Sequence, residues 1–383
     1  DLLCIIRPDE IKSIHKAYLE SGAEIISSNS FNANSVSMQD YGLHRYPGLI
    51  REINRRAAIL AREAADEAPV KDWGGKALVA GSIGPTNRTA SMSPDVSDPA
   101  GRNVDYDSLF EAYCEQVGGL LEGGVDLLLF ETVFDTLNLK AGLDAADRVM
   151  EAMGKTVPVM VSATMSDKAG RTLSGQTLGA FLTSIEGYDN VVTVGLNCSL
   201  GPVEMLPLLK ELGGLTEKFV TAHPNAGLPN ELGEYDVTPE GFAESLVAII
   251  KEGLVNIAGG CCGTTPEHIS ALRDKLSVSV PHMPKKLREA LCISGLERVE
   301  VLPENNFLNI GERCNVAGSR KFLRLIKEKK YEEAVEIAAR QVEDGAMVID
   351  INMDDAMLDA GAEMVHFLRY IASDPDNTKV PVM

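Results

Sequence analysis

Apolar and β-branched residues gather along the chain in short runs that recur at intervals of a few tens of residues. Seven such runs read as strands: Glu24–Asn29, Ala77–Ile83, Val125–Glu131, Val157–Ala163, Val191–Asn197, Phe219–His223 and Leu254–Ala258. None shows strict apolar/polar alternation, the pattern of strands covered on both faces. Between them lie longer stretches with a helical period, among them Ile50–Glu67, Leu109–Glu122, Leu139–Met153 and Pro239–Lys251. Glycine-containing tripeptides such as Ser21-Gly22-Ala23 and Glu252-Gly253-Leu254 stand just before strands, where a helix ends most readily in a left-handed residue. Strand–helix alternation of this kind builds a parallel sheet. Seven βα units are one short of an eight-fold barrel. The expected fold is therefore α/β: a (β/α)8 TIM barrel lacking its first strand, which would precede Asp1. A doubly wound open sheet is the competing arrangement.

The pattern breaks between Ser279 and Asn306. Pro281, Pro284 and Pro303 bracket the charged run Lys285-Lys286-Leu287-Arg288, which reads as a connector between domains. A second series follows: strand Phe307–Ile310, helices Ser319–Lys329 and Tyr331–Asp344, strand Met347–Ile351, helix Asp355–Ala372, and a further strand from Val380. Gly345-Ala346 repeats the small-residue entry of Gly22-Ala23. The expected organisation is a first barrel over residues 1–280, a linker over 281–305, and the start of a second (β/α)8 barrel over 306–383.

The composition narrows the classes. The chain has 383 residues, with 45% hydrophobic and 24% charged side chains, which is ordinary globular usage. A net charge of −20 leaves no basic surface for phosphates, so a nucleic-acid partner is not expected. No apolar run is long enough for a membrane span, and residues 1–4 lack the features of a signal peptide. The chain reads as a cytoplasmic fragment of a longer protein. Its seven cysteines are odd in number and irregularly spaced, which favours metal or catalytic use over a disulfide framework.

Three of them stand at strand ends, where a parallel barrel carries its chemistry. Cys198 lies in Gly195-Leu196-Asn197-Cys198-Ser199, and Cys261 and Cys262 lie in Gly259-Gly260-Cys261-Cys262-Gly263-Thr264. Neighbouring cysteines can both face one metal where flanking glycines let the backbone turn. Thiolates suit zinc, and three protein ligands with one open position form the catalytic pattern. An open position admits a substrate thiol, which the metal deprotonates. Buried thiols packed as small hydrophobes are the plainer reading, and Cys4, Cys114, Cys292 and Cys314 default to it. His223, also at a strand end, either joins the ligand set or lines the pocket.

These two cysteine segments resemble the zinc site of the homocysteine S-methyltransferase family. More closely, the order of motifs is similar to that of the cobalamin-dependent methionine synthases. The resemblance rests on Gly84-Pro85-Thr86-Asn87-Arg88-Thr89, Glu131-Thr132-Val133-Phe134-Asp135-Thr136, Gly170-Arg171-Thr172-Leu173-Ser174-Gly175-Gln176 and Ala222-His223-Pro224-Asn225-Ala226-Gly227. After the connector, Asn309-Ile310-Gly311-Glu312-Arg313-Cys314-Asn315 and Ile349-Asp350-Ile351-Asn352 resemble the first two strands of a folate barrel.

The resemblance implies zinc on Cys198, Cys261 and Cys262. It implies Glu131 facing the homocysteine ammonium, with Asn197 either touching the same substrate or serving as a structural amide. Glu312, Asn315, Asp350 and Asn352 would contact the pterin or else form turns and caps. The implied reaction moves a methyl group from methyltetrahydrofolate to homocysteine, with cobalamin as carrier on a separate module of the longer protein. Two departures stand out. Ser27-Ser28 occupies positions where the family often has Glu-Thr, and the cobalamin-binding pattern Asp-x-His-x-x-Gly is not in these 383 residues. A stand-alone thiol methyltransferase using S-methylmethionine or a betaine, and a zinc-holding protein without catalysis, are the alternatives.

Overall fold

In the computed structural model, residues 1–166, 169–230, 233, 235–276, 280–305 and 307–383 are described. Ser279 and Asn306, which bracket the segment where the sequence pattern breaks, lie outside them. Clustering of contacts divides the chain into two compact units: Asp1–Arg88 with Val104–Leu173 and Tyr188–Leu287, and Thr89–Asn103 with Ser174–Gly187 and Arg288–Met383.

The first unit is built on one sheet of seven strands: β1 (Ile25–Ser27), β2 (Leu78–Ile83), β3 (Leu127–Val133), β4 (Val159–Ala163), β5 (Val191–Asn197), β6 (Phe219–His223) and β7 (Ile257–Ala258). Each pairs parallel with the next in chain order. Every residue of β4 is buried, and so are all but one of β2 and β5, as the non-alternating runs require. Ala80, Leu127, Leu129 and Met160 form an interior cluster that Ile25 of β1 and Ile257 of β7 also join. Residues from both edge strands meeting one cluster means that the sheet curls into a barrel wall. The open-sheet alternative is thereby set aside. Between β1 and β7 lies a cavity of about 1280 Å³ that reaches from Glu20 and Lys71 to Asn29 and Cys261.

Helices α1 (Leu3–Ile6), α2 (Pro8–Glu20), α3 (Leu49–Glu67), α4 (Tyr106–Glu122) and α5 (Thr136–Met153) precede β4. After it come α6 (Leu178–Ser184, in the second unit), α7 (Pro202–Leu215), α8 (Pro239–Lys251) and α9 (Pro266–Lys275). Their starts follow capping chemistry. Asp105 accepts from Ser108 N at α4, Asp135 from Leu137 N at α5, and Thr238 from Gly241 N at α8.

In the second unit, residues 291–301 form an antiparallel hairpin, β8 (Leu291–Ser294) with β9 (Arg298–Val301). β10 (Ile310–Asn315) pairs parallel with β11 (Val348–Asn352), and α10 (Arg320–Lys327) and α11 (Tyr331–Glu343) connect them. α12 (Ala360–Ala372) and α13 (Pro375–Thr378) follow, and Val382 bridges Ile349 in parallel.

Two expected elements shift. The strand expected at Phe307–Ile310 runs instead from Ile310 to Asn315, because backbone pairing with β11 holds a polar segment in which only Gly311 and Cys314 are buried; Phe307 is 75% exposed. The helix expected from Asp355 begins at Ala360, where Asp359 caps it through Ala362 N.

Candidate metal centre

The three strand-end cysteines converge. Cys198, Cys261 and Cys262 offer sulfurs that all lie within 4.8 Å of one another, and among the described residues they are the group able to hold a metal ion. Cys198 Sγ and Cys262 Sγ are 3.7 Å apart. Two sulfurs bonded at 2.3 Å to a tetrahedral zinc are separated by about 3.8 Å. The donor set therefore fits zinc in both chemistry and spacing.

Backbone geometry produces this convergence. β5 ends at Asn197, and Cys198 and Ser199 then take left-handed conformations, φ +62° and +57°. Such values are costly for side chains with a Cβ and gather at functional sites. Cys198 N donates to His223 O at 3.1 Å, tying the turn to the end of β6. The second loop follows β7. Cys261 N donates to Pro224 O (2.9 Å), Cys262 N to Asn225 Oδ1 (3.1 Å), and Ala226 N to Cys262 O (2.9 Å). Thr264 closes the turn through Cys261 O, just before α9.

Asn197 joins the elements. Its Oδ1 accepts from Thr132 N (2.8 Å), and its Nδ2 donates to Thr132 Oγ1 (2.8 Å) and lies 3.7 Å from Cys261 Sγ. Thr132 is itself left-handed, φ +59°. A β-branched residue in that region is a true outlier, held here by both ends of one amide.

Glu131 stands beside it. Ser82 Oγ donates to Glu131 Oε1 at 2.5 Å, and Ser82 N donates in turn to Ser28 Oγ (3.0 Å). Burial pushes the Glu131 carboxyl above its ordinary range, against the opposing pull of the Ser82 hydrogen bond. The hydrogen bond from Cys261 holds the Cys198 thiol low, while the same contact and burial push Cys261 up.

His223 stands outside the metal-holding group. Its ring lies against Gly259 and lines the cavity, and desolvation lowers its pKa to about 4, keeping it neutral. Ser27 is exposed and borders the same cavity.

The four candidate pterin residues are placed differently. Asn315 and Asn352 are register partners at the ends of β10 and β11. Each side-chain oxygen accepts backbone N–H groups of the following turn, Ala317 and Gly318 for Asn315 and Asp354 for Asn352. Asp350 lies in β11, while Glu312 is exposed and paired with Arg313 at 3.3 Å. The turn-forming role is thus the one the contacts of both asparagines display.

Several residues escaped the reading of the sequence. Ser82 is a single hydroxyl inside an apolar run, Ser28 stands in the polar stretch Ser27-Ser28-Asn29-Ser30, and Thr132 gives no hint of its backbone. Asn225, which accepts from Cys262 N, lies in Ala222–Gly227 with nothing in its spacing to mark it.

Residues 1–276 match the family described as Homocysteine S-methyltransferase, and residues 311–383 match the family described as Pterin binding enzyme. Among solved structures, the homocysteine methyltransferase MmuM from Escherichia coli is similar in its metallated form at 24% identity and TM-score 0.55, over 71% of this chain and 86% of that one. Its oxidized form matches at 23% identity and TM-score 0.55, with the same coverage. At that identity the likeness bears on the fold, which it shares with the first unit. No helix among the described residues is long and apolar enough to cross a membrane.

Proposed function

The chain belongs to the homocysteine S-methyltransferase family, and we propose that it activates the thiol of homocysteine for methylation at a zinc ion held by Cys198, Cys261 and Cys262. The observation that carries this reading is the convergence of the three sulfurs within 4.8 Å. Zinc bound there would supply a Lewis acid that lowers the pKa of an incoming thiol and leaves it a nucleophile at neutral pH.

The chain's own residues do the positioning. The strained turn at Cys198 brings its sulfur to that of Cys262, and Asn197 links the strained turn at Thr132 to the Cys261 sulfur. Glu131 receives the substrate ammonium. Burial raises the carboxyl above its ordinary range, and an ammonium beside it favours the ionised form, giving a charge-assisted pair. The sulfur lone pair then forms the new S–CH3 bond, and the donor keeps the electrons of the bond that breaks.

The donor is methyltetrahydrofolate acting through cobalamin, as in methionine synthases. The match of residues 311–383 to pterin binding enzymes supports this over S-methylmethionine or a betaine. Glu312, Asn315, Asp350 and Asn352 would border the pterin, and a separate module would carry cobalamin. The residues also suit a cytoplasmic setting, since all described cysteines are free thiols.

The test is metal content together with methionine formation from homocysteine and methylcobalamin. The chain should hold one zinc ion and form methionine, and Cys261→Ala should abolish both. Zinc retained at full occupancy in Cys261→Ala would overturn the ligand assignment.

A further inference from the structure

The side chains that face the barrel interior turn from apolar to polar at the strand ends. Along β2, Ala80 belongs to the interior cluster, and Ser82 is the next residue on that face. Along β3, Leu127 and Leu129 belong to the same cluster, and Glu131 is the next on theirs. Ser82 is the register partner of Leu129, so the two polar side chains meet just beyond the apolar layer. There Ser82 Oγ donates to Glu131 Oε1 at 2.5 Å.

Ser82 is itself held. Backbone pairing of β1 with β2 ends where Ser28 N donates to Ala80 O at 2.9 Å. Two hydroxyls continue it. Ser28 Oγ accepts from Ser82 N (3.0 Å), and Ser30 Oγ donates to Ser82 O (2.7 Å). These two hydroxyls lie 2.7 Å apart, and Gln116 Nε2 of α4 donates to Ser30 O at 2.8 Å. Ser28, Ser30, Ser82 and Gln116 are all buried. The Ser82 backbone is thus clamped at its N–H and its C=O, and its one hydroxyl hydrogen goes to the carboxylate.

We propose that Ser82 is a positioning residue for substrate recognition, its hydroxyl pinning Oε1 of Glu131 so that Oε2 meets an α-ammonium group. The proposal rests on the reading that Glu131 receives the ammonium of homocysteine. The terminal torsion of a glutamate is broad, so an unpinned carboxylate offers its oxygens in many directions. A charge-assisted hydrogen bond to one oxygen fixes the plane of the group. Preorganisation of this kind favours thiols that carry an α-ammonium over thiols of the same length without one.

Binding to the zinc-loaded full chain, measured by calorimetry, tests this with homocysteine and γ-mercaptobutyrate as probes. The second thiol keeps the carbon chain and the carboxylate and lacks only the amine. Wild type should prefer homocysteine. Ser82→Ala removes one oxygen and leaves the clamp on the backbone in place. It should bind homocysteine roughly 10-fold more weakly, as loss of a charged hydrogen bond implies. Its affinity for γ-mercaptobutyrate and its zinc content should not change. Ser82→Thr keeps the donor and should restore the preference.

A loss in Ser82→Ala that is equal for the two thiols, or no loss for either, would overturn the positioning role. Glu131→Gln separates that outcome from failure of the reading beneath it. If Glu131→Gln erases the preference and Ser82→Ala does not, the role of Ser82 alone falls. If wild type binds both thiols alike, or Glu131→Gln keeps the preference, the ammonium reading falls and the Ser82 proposal with it.

Discussion

Single side chains set the chemistry. Glu131 is the clearest case, because burial and a hydrogen bond act on its charge in opposite senses. Its folded pKa is raised, so its contribution to stability is complete below the ordinary carboxyl range and is lost as pH rises through the folded value. Glu131→Gln should therefore gain in melting temperature relative to wild type as pH increases, which thermal melts across pH 4–8 would show. The same variant should weaken homocysteine binding by about 2 kcal/mol, roughly thirtyfold, through loss of a charged hydrogen bond. Its zinc content should not change. The cysteines and Glu131 could be read from the sequence because each stands at the end of an apolar run, where a parallel barrel gathers its side chains. Thr132 could not, because it owes its place to a backbone angle that composition does not encode.

Strands and helices were legible in proportion to their burial. β2 to β6 are covered on both faces and lie close to the apolar runs that announced them. β10 was misplaced because Gly-Glu-Arg-Cys-Asn carries little hydrophobic signal and is held by pairing with β11. The hairpin of β8 and β9 was hidden inside a proline-bracketed segment, although Arg-Val-Glu-Val alternates as an edge strand does. Close approach between strands is equally silent in sequence. A methyl group at Gly195 in β5 would lie 2.3 Å from Thr221 O in β6, which is backbone and cannot turn aside. Gly195→Ala should cost ~1–3 kcal/mol, the range for overpacked interiors. Because Cys198 is three residues on, the variant should also bind zinc more weakly. A melting curve and a metal assay on one preparation check both effects.

For the whole molecule, the sequence placed a linker over 281–305. The compact units are less linear, since Thr89–Asn103 and Ser174–Gly187 cluster with Arg288–Met383. Contacts between segments far apart in the chain leave no mark on local composition. Acid stability is a property at this scale. His15 is buried and His223 half-buried, and desolvation lowers each to about 4 from an ordinary value of 6.5. A depressed pKa means stability that is present above pH 6.5 and lost as pH falls toward 4, because the unfolded chain binds the protons first. Each contributes at most ~3 kcal/mol, at 1.36 kcal/mol per pKa unit. His15→Gln should flatten the fall in melting temperature between pH 6.5 and 4. An unchanged slope would show that His15 does not titrate across folding.

The central claim is that three thiolates hold a zinc ion with room for a fourth sulfur. X-ray absorption at the zinc edge, recorded on the zinc-loaded chain with and without homocysteine, tests it most directly. The account predicts three sulfur neighbours rising to four when homocysteine is added, with release of protons to the buffer. An unchanged set of neighbours on saturation with homocysteine, with no proton released, would contradict it.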